Sequence, residues 1–237
     1  MELRIKYKDI LIGVWLNGNM GNIVISPGLP QYIDKHHLII KRLSGMGYNI
    51  FTPRYIGSWE SDGNFSLKNC IRTLDQTLEM VGLGRAVESY NVSEVIWSNS
   101  LPTYLIGFSF GALPVLLLKT ETKKILVCPF VNMEYHRGIN GVEDLERTLQ
   151  FLSRGYTNVY RLDVAKIIKE LSDIKYPESG GNLTVVAGIQ DKVISTEEIV
   201  FITKKYSPTT IMLQIGHSLN DIQESDLESL LNCKVNK

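Results

Sequence analysis

The sequence predicts an α/β protein with a mostly parallel central sheet flanked by helices on both faces. Three observations lead there. Short apolar runs such as Ile23-Val24-Ile25 and Lys124–Cys128 lack polar alternation, as strands covered on both sides do. Stretches of helical period separate these runs, so strand and helix alternate along most of the chain. Gly-Phe-Ser-Phe-Gly at 107–111 then joins one strand to one apolar helix.

Taken in order, Leu3–Tyr7 and Ile10–Asn17 read as a strand pair, with 18–22 as the turn to the next strand. Ile23–Ser26 is a buried strand ending at Pro27-Gly28-Leu29-Pro30, which cannot continue a ladder. Asp34 can cap a helix from Lys35 to about Met46, closed by Gly45 and Gly47. Tyr48–Thr52 is a strand, Pro53–Asn64 a polar loop punctuated by glycine, and Asn64 or Ser66 starts a helix reaching at least Met80. Between Gly82 and Pro102 the pattern is ambiguous, with Val95-Ile96-Trp97 as a short strand before the apolar strand Thr103–Phe108. Phe110–Lys119 reads as a helix that tolerates Pro114 in its first turns. After Lys124–Cys128, residues 131–177 have helical period and no evident strand, so a small helical cap over the site is expected there. Leu183–Ala187 and Thr209–Ile215 are strands; Ser195–Tyr206 and Asn220–Leu231 are helices. A single domain, 1–237, is the natural organisation at this length.

Composition narrows the function. Apolar residues make up 44% and charged residues 21%, enough for a substantial core. Lys and Arg balance Asp and Glu at 25 each, so charge gives no case for nucleic acid or an anionic membrane as partner. No apolar run approaches the roughly 18 residues of a membrane span, and the N-terminus lacks signal-peptide organisation. Cys70, Cys128 and Cys233 have neither zinc spacing nor the look of a disulfide framework. A soluble cytoplasmic protein is the expectation, which leaves the sequons at Asn64, Asn91 and Asn182 without meaning. No His/Asp/Glu cluster has ligand spacing, so no metal site is expected. Gly82-Leu83-Gly84 follows a helix, which is the wrong context for a dinucleotide loop.

The chemistry is concentrated after three strands. Ser109 lies in a G-x-S-x-G turn between strand and helix, where a hydroxyl is lifted above the strand ends and faces free helix N–H groups. A serine nucleophile needs a base, and the base needs an acid to orient it. Of four histidines, His217 alone follows a predicted strand; His36 and His37 fall on the first helix and His136 in the cap. Asp191 follows the strand Leu183–Ala187. The order Ser109, Asp191, His217, with gaps of roughly 80 and 25 residues, is that of one convergent solution to acyl transfer.

On these residues the chain resembles the α/β-hydrolase superfamily, from Ile23 to His217. The resemblance implies the α/β-hydrolase fold, with Ser109 as nucleophile, His217 as general base and then acid, and Asp191 fixing the imidazole tautomer. The Phe110 N–H is one expected oxyanion donor. By resemblance Leu29 N–H is the second, although Pro27-Gly28-Leu29 departs from the His-Gly-x of many relatives. Tyr55 and Trp59, in the loop after the next strand, either line the substrate pocket or pack that loop onto the sheet. Implied is a serine hydrolase without a cofactor, acting on a small-molecule acyl substrate, most simply a carboxylic ester. Peptidase, thioesterase and lipase action stay open, as does a non-catalytic binding protein on the same fold. Helix Asn220–Leu231 offers either a homodimer surface or a face for its own sheet.

Overall fold

The computed structural model describes residues 2–29, 33, 37–135, 143, 146–150 and 163–232. In chain order the elements are β1 (Leu3–Tyr7), β2 (Ile10–Trp15), β3 (Gly21–Ser26), α1 (Leu38–Gly45), β4 (Tyr48–Pro53) and α2 (Leu67–Leu83). There follow β5 (Arg85–Val87), β6 (Glu94–Ile96), β7 (Thr103–Phe108), α3 (Ala112–Leu117), β8 (Lys123–Val127) and α4 (Val164–Ser172). The last are β9 (Leu183–Gly188), α5 (Thr196–Tyr206), β10 (Thr209–Leu213) and α6 (Glu224–Asn232). Eight strands make one sheet in the order β1-β2-β4-β3-β7-β8-β9-β10. The pairs β1/β2 and β2/β4 are antiparallel, and every pairing from β4 to β10 is parallel.

The unalternating strands are apolar because both sheet faces are covered. Ile23 and Ile25, Ile106, Ile125 and Val127 join one cluster with α1 (Ile39, Ile40, Leu43) and α6 (Leu227, Leu230, Leu231). Their neighbours along the strands, Val24, Leu105 and Leu126, join the other with α2 (Leu74, Met80), α3 (Val115, Leu116) and α5 (Ile202). The apolar face of α6 is thus spent on its own sheet. Helix ends follow their side chains. Ser66 caps α2 by accepting from Asn69 N–H, and Ser195 caps α5 by accepting from Glu198 N–H. The buried Lys124 ammonium donates to the carbonyls of Leu116 and Leu118, at 3.3 and 2.6 Å, closing the C-terminus of α3. Burial draws its pKa down, against the opposing pull of Glu121.

Several boundaries differ from the sequence reading. Val95 and Ile96 do form a strand, β6, but it pairs with β5 in a separate antiparallel hairpin. The expected helix Phe110–Lys119 is a 3-10 turn, Ser109–Gly111, followed by α3, and Asn220–Leu231 likewise divides into a 3-10 turn and α6. The first helix starts at Leu38 with His37 at its N-cap position; Asp34 and His36 lie outside the described residues.

Within 131–177 the described residues include no strand; they are helical at 146–150 and in α4. His136 and much of the expected cap lie outside the described residues. The two ends of this segment are tied at Val131. Its N–H donates to the buried Glu198 carboxylate at 2.5 Å, and its carbonyl accepts from the Tyr176 hydroxyl at 2.6 Å. Val131 is thus held both by α5 and by the stretch leading to β9.

In the sheet order, β3 lies between β4 and β7, so chain connections leave β3 in opposite directions. Such a reversal opens a crevice at the carboxyl ends of the strands. Ser26 at the end of β3 pairs with Gly107 of β7, which puts the turn after β7 at this crevice.

Candidate active site

Two glycines let β7, the turn and β3 come together. A Cβ on Gly107 would lie 2.6 Å from the Gly111 carbonyl oxygen, and one on Gly111 would lie 2.2 Å from that of Ser26. Between them Ser109 takes φ 51°, a left-handed conformation that costs a non-glycine residue about 1 kcal/mol or more. The segment after β8 holds it there, since the Ser109 carbonyl accepts from Phe130 N–H at 3.1 Å.

Three strand ends then converge on this serine. His217, four residues beyond β10, places Nε2 2.9 Å from Ser109 Oγ and Nδ1 2.9 Å from Asp191 Oδ2. An ionised carboxylate only accepts, so Nδ1 carries the proton and Nε2 is left to accept from the serine hydroxyl. Asp191 sits in the turn after β9. Its second oxygen accepts from the N–H groups of Val193 and Ile194, at 2.7 and 3.1 Å. Burial pushes the Asp191 pKa up. Hydrogen bonds from His217 and from the Ile194 and Val193 N–H groups outweigh it and hold the carboxyl below its usual range. The His217 turn is itself fastened: Gln190 N–H donates to the Ile215 carbonyl at 3.0 Å, and Gly216 N–H to the Asp221 carboxylate at 3.2 Å. The ring of Phe108 lies 5.0 Å from the imidazole, tilted by 37°.

The loop after β3 borders the same serine. A Cβ on Gly28 would come within 3.1 Å of Ser109 Cβ, so the Pro27-Gly28-Leu29 backbone runs directly beside it. Leu29 is half-buried against the core, and Phe110 is buried among Tyr55, Phe65 and Phe130, at ring separations of 6.1 to 6.2 Å. Of the two residues set against the substrate pocket, Tyr55 takes the packing alternative. Only 2% exposed, it donates its hydroxyl to the Pro27 carbonyl at 2.7 Å and lies equally close to Ser26 Oγ. Trp59 is half-buried at φ 53° in the polar loop.

Cys128 is the neighbour that sequence reasoning missed. It follows β8 at φ 45°, is 1% exposed, and its thiol lies 3.6 Å from the Gly216 carbonyl. Burial, then the Asp191 charge, pushes the thiol pKa far up. It is buried, and it also touches the His217 turn. No spacing in the chain announces this, because 128, 191 and 217 meet only through strand order.

No family model matches the sequence, and no curated protein matches it in sequence. Solved structures do match. An esterase from Pyrococcus furiosus is 17% identical with a TM-score of 0.62, covering 98% of this chain and 89% of that one. An esterase from Exiguobacterium antarcticum is 15% identical with a TM-score of 0.59, and 98% of each chain is covered. An α/β serine hydrolase without lid from Xanthomonas campestris is 15% identical with a TM-score of 0.56, covering 97% of this chain and 91% of the other. This chain has the α/β-hydrolase fold. Among the described residues no helix is long and apolar enough to cross a membrane.

Proposed function

We propose that this α/β-hydrolase fold carries a serine hydrolase that cleaves a carboxylic ester through an acyl-enzyme intermediate. The observation behind the reading is the continuous hydrogen-bonded series from Ser109 Oγ through His217 to Asp191, two links of 2.9 Å each. In this reading Ser109 Oγ attacks the acyl carbon as its proton passes to His217 Nε2, and the Asp191 carboxylate stabilises the imidazolium that forms. The carbonyl oxygen becomes an oxyanion held by the N–H groups of Phe110 and Leu29, each worth about 3 kcal/mol in the transition state. Collapse expels the alkoxide, which takes the proton from Nε2. Water then attacks the acyl-serine by the same relay, regenerating Ser109 and releasing the acid.

Tyr55 serves by positioning. Its hydroxyl holds the Pro27 carbonyl, and with it the loop that presents Leu29. Residues 131–177 form the cap, Trp59 borders the pocket, and the whole chain acts as one domain.

Fluorophosphonate labelling read by intact mass tests the proposal, followed by hydrolysis of short p-nitrophenyl esters. A single adduct on the native chain, absent in Ser109→Ala, together with ester turnover lost in His217→Ala, is expected. A folded native chain that takes no adduct and turns over no ester, thioester or peptide would overturn the reading and favour a binding protein.

A further inference from the structure

Cys128 and the Asp191–His217 pair form a ligand set in which Cys128 has no part in the hydrolytic relay. Among the described residues, the Cys128 sulfur, an Asp191 oxygen and a His217 nitrogen lie within 4.8 Å of one another. A thiolate, a carboxylate and an imidazole are together the donors a borderline-soft divalent cation prefers. A zinc ion with bonds of about 2.0 to 2.3 Å holds such atoms roughly 3.5 Å apart. The three atoms therefore need to shift by an ångström or so at most, with the Asp191–His217 contact opening from 2.9 Å. A route in also exists. A cavity of about 290 Å3 is lined by Cys128 and Asp191 together with Gly188, Ser195, Thr196 and Met212, and reaches the carboxylate beside β9 and α5. It leaves space for a water molecule as fourth ligand.

We propose that Cys128, Asp191 and His217 Nδ1 bind zinc(II), and that the bound ion switches off Ser109. The proton balance gives the mechanism. The Cys128 thiol gives up its proton to solvent as the sulfur–zinc bond forms, and the cation offsets the negative charge gathered there. Zinc takes the place of the proton on His217 Nδ1, and that proton moves to Nε2. An Nε2–H group donates and no longer accepts, so Ser109 loses its base without leaving its place. The inhibition rests on the serine-hydrolase reading, whereas the metal site itself does not.

Cobalt(II) and zinc(II) separate these two parts. Cobalt titrated into chelator-treated native protein is expected to give a near-ultraviolet thiolate-to-cobalt band at one ion per chain. The band is expected to be lost in Cys128→Ser and in Cys128→Ala. Saturating zinc is expected to slow fluorophosphonate labelling of the native chain about 100-fold, the worth of a general base. In the two Cys128 variants the ratio of rates with and without zinc is expected to stay near one, each variant serving as its own reference. Absence of the cobalt band in native protein overturns the site. Equal zinc slowing in native protein and Cys128→Ser overturns the switch by placing the inhibitory ion elsewhere. A band without any labelling in the absence of metal would leave the metal site standing and sink the hydrolase reading instead.

Discussion

Ser109 is strained because its place in the turn matters more than its comfort. Its left-handed φ of 51° is imposed by the close approach of Gly107 and Gly111 to neighbouring backbone, which leaves the turn no wider path. Glycine adopts that conformation freely and alanine does not. Ser109→Gly is therefore expected to unfold at higher denaturant than Ser109→Ala, by about 1 kcal/mol, though both lose labelling. Asp191 carries a different signature. Its pKa is lowered in the folded chain, so its contribution to stability is present above the unfolded value of about 4 and lost as pH falls through the folded value. Denaturation of native protein and Asp191→Asn is expected to show a gap at pH 7 that narrows below pH 4. A gap independent of pH would assign the loss to packing alone. At neutral pH the same variant is expected to lose about 10⁴-fold in kcat, because an amide no longer fixes the Nδ1–H tautomer.

The elements around the serine act as supports for short stretches of backbone. The loop after β3 cannot join the sheet beyond Pro27, and its carbonyl is instead fastened by Tyr55 from the loop after β4. That second loop is ordered by its own polar side chains: Ser58 Oγ donates to the Tyr55 carbonyl and Ser61 Oγ to that of Arg54, each at 2.7 Å. Tyr55→Phe removes one buried hydroxyl while keeping the ring against Phe65 and Phe110. The expected outcome is a stability loss of about 1 kcal/mol and, if Tyr55 positions the proposed oxyanion donor, a fall in kcat of roughly tenfold with little change in KM. A raised KM at unchanged kcat would return Tyr55 to the substrate pocket. Glu198 supports the base of 131–177 in the same manner, holding the N–H groups of Val131 and Asn132.

The described residues form one large sheet with the small β5/β6 hairpin apart from it, and two hydrophobic clusters cover the large sheet. Trp15 lies in one cluster and Trp97 in the other, so fluorescence reports on both faces. With a single sheet running from β1 to β10, urea unfolding followed by fluorescence and by far-ultraviolet circular dichroism is expected to give coincident curves. Separate midpoints would mean that part of the chain folds as its own unit. The three candidate residues come from β7, β9 and β10, so their geometry depends on the sheet being complete.

Much of this architecture was legible in the chain. Period and apolar runs report burial, and burial on both faces is what separates a parallel strand from an amphipathic one. Hence β1, β3, β4, β7 and β9 stand within two residues of where their apolar runs place them. That Ser109, Asp191 and His217 would meet was legible for a related reason: polar residues just past the ends of neighbouring parallel strands are brought to one crevice. The hairpin of β5 and β6, the hydroxyl of Tyr55 and the contact of Cys128 with the His217 turn were not. The last two depend on which strand lies beside which, through partners 28 and 88 residues away, whereas β5 and β6 pair residues only 7 to 11 apart but do so outside the main sheet. Local pattern carries no record of such distant pairings, because the same apolar run satisfies any neighbour in the sheet. Only the assembled strand order chose among them.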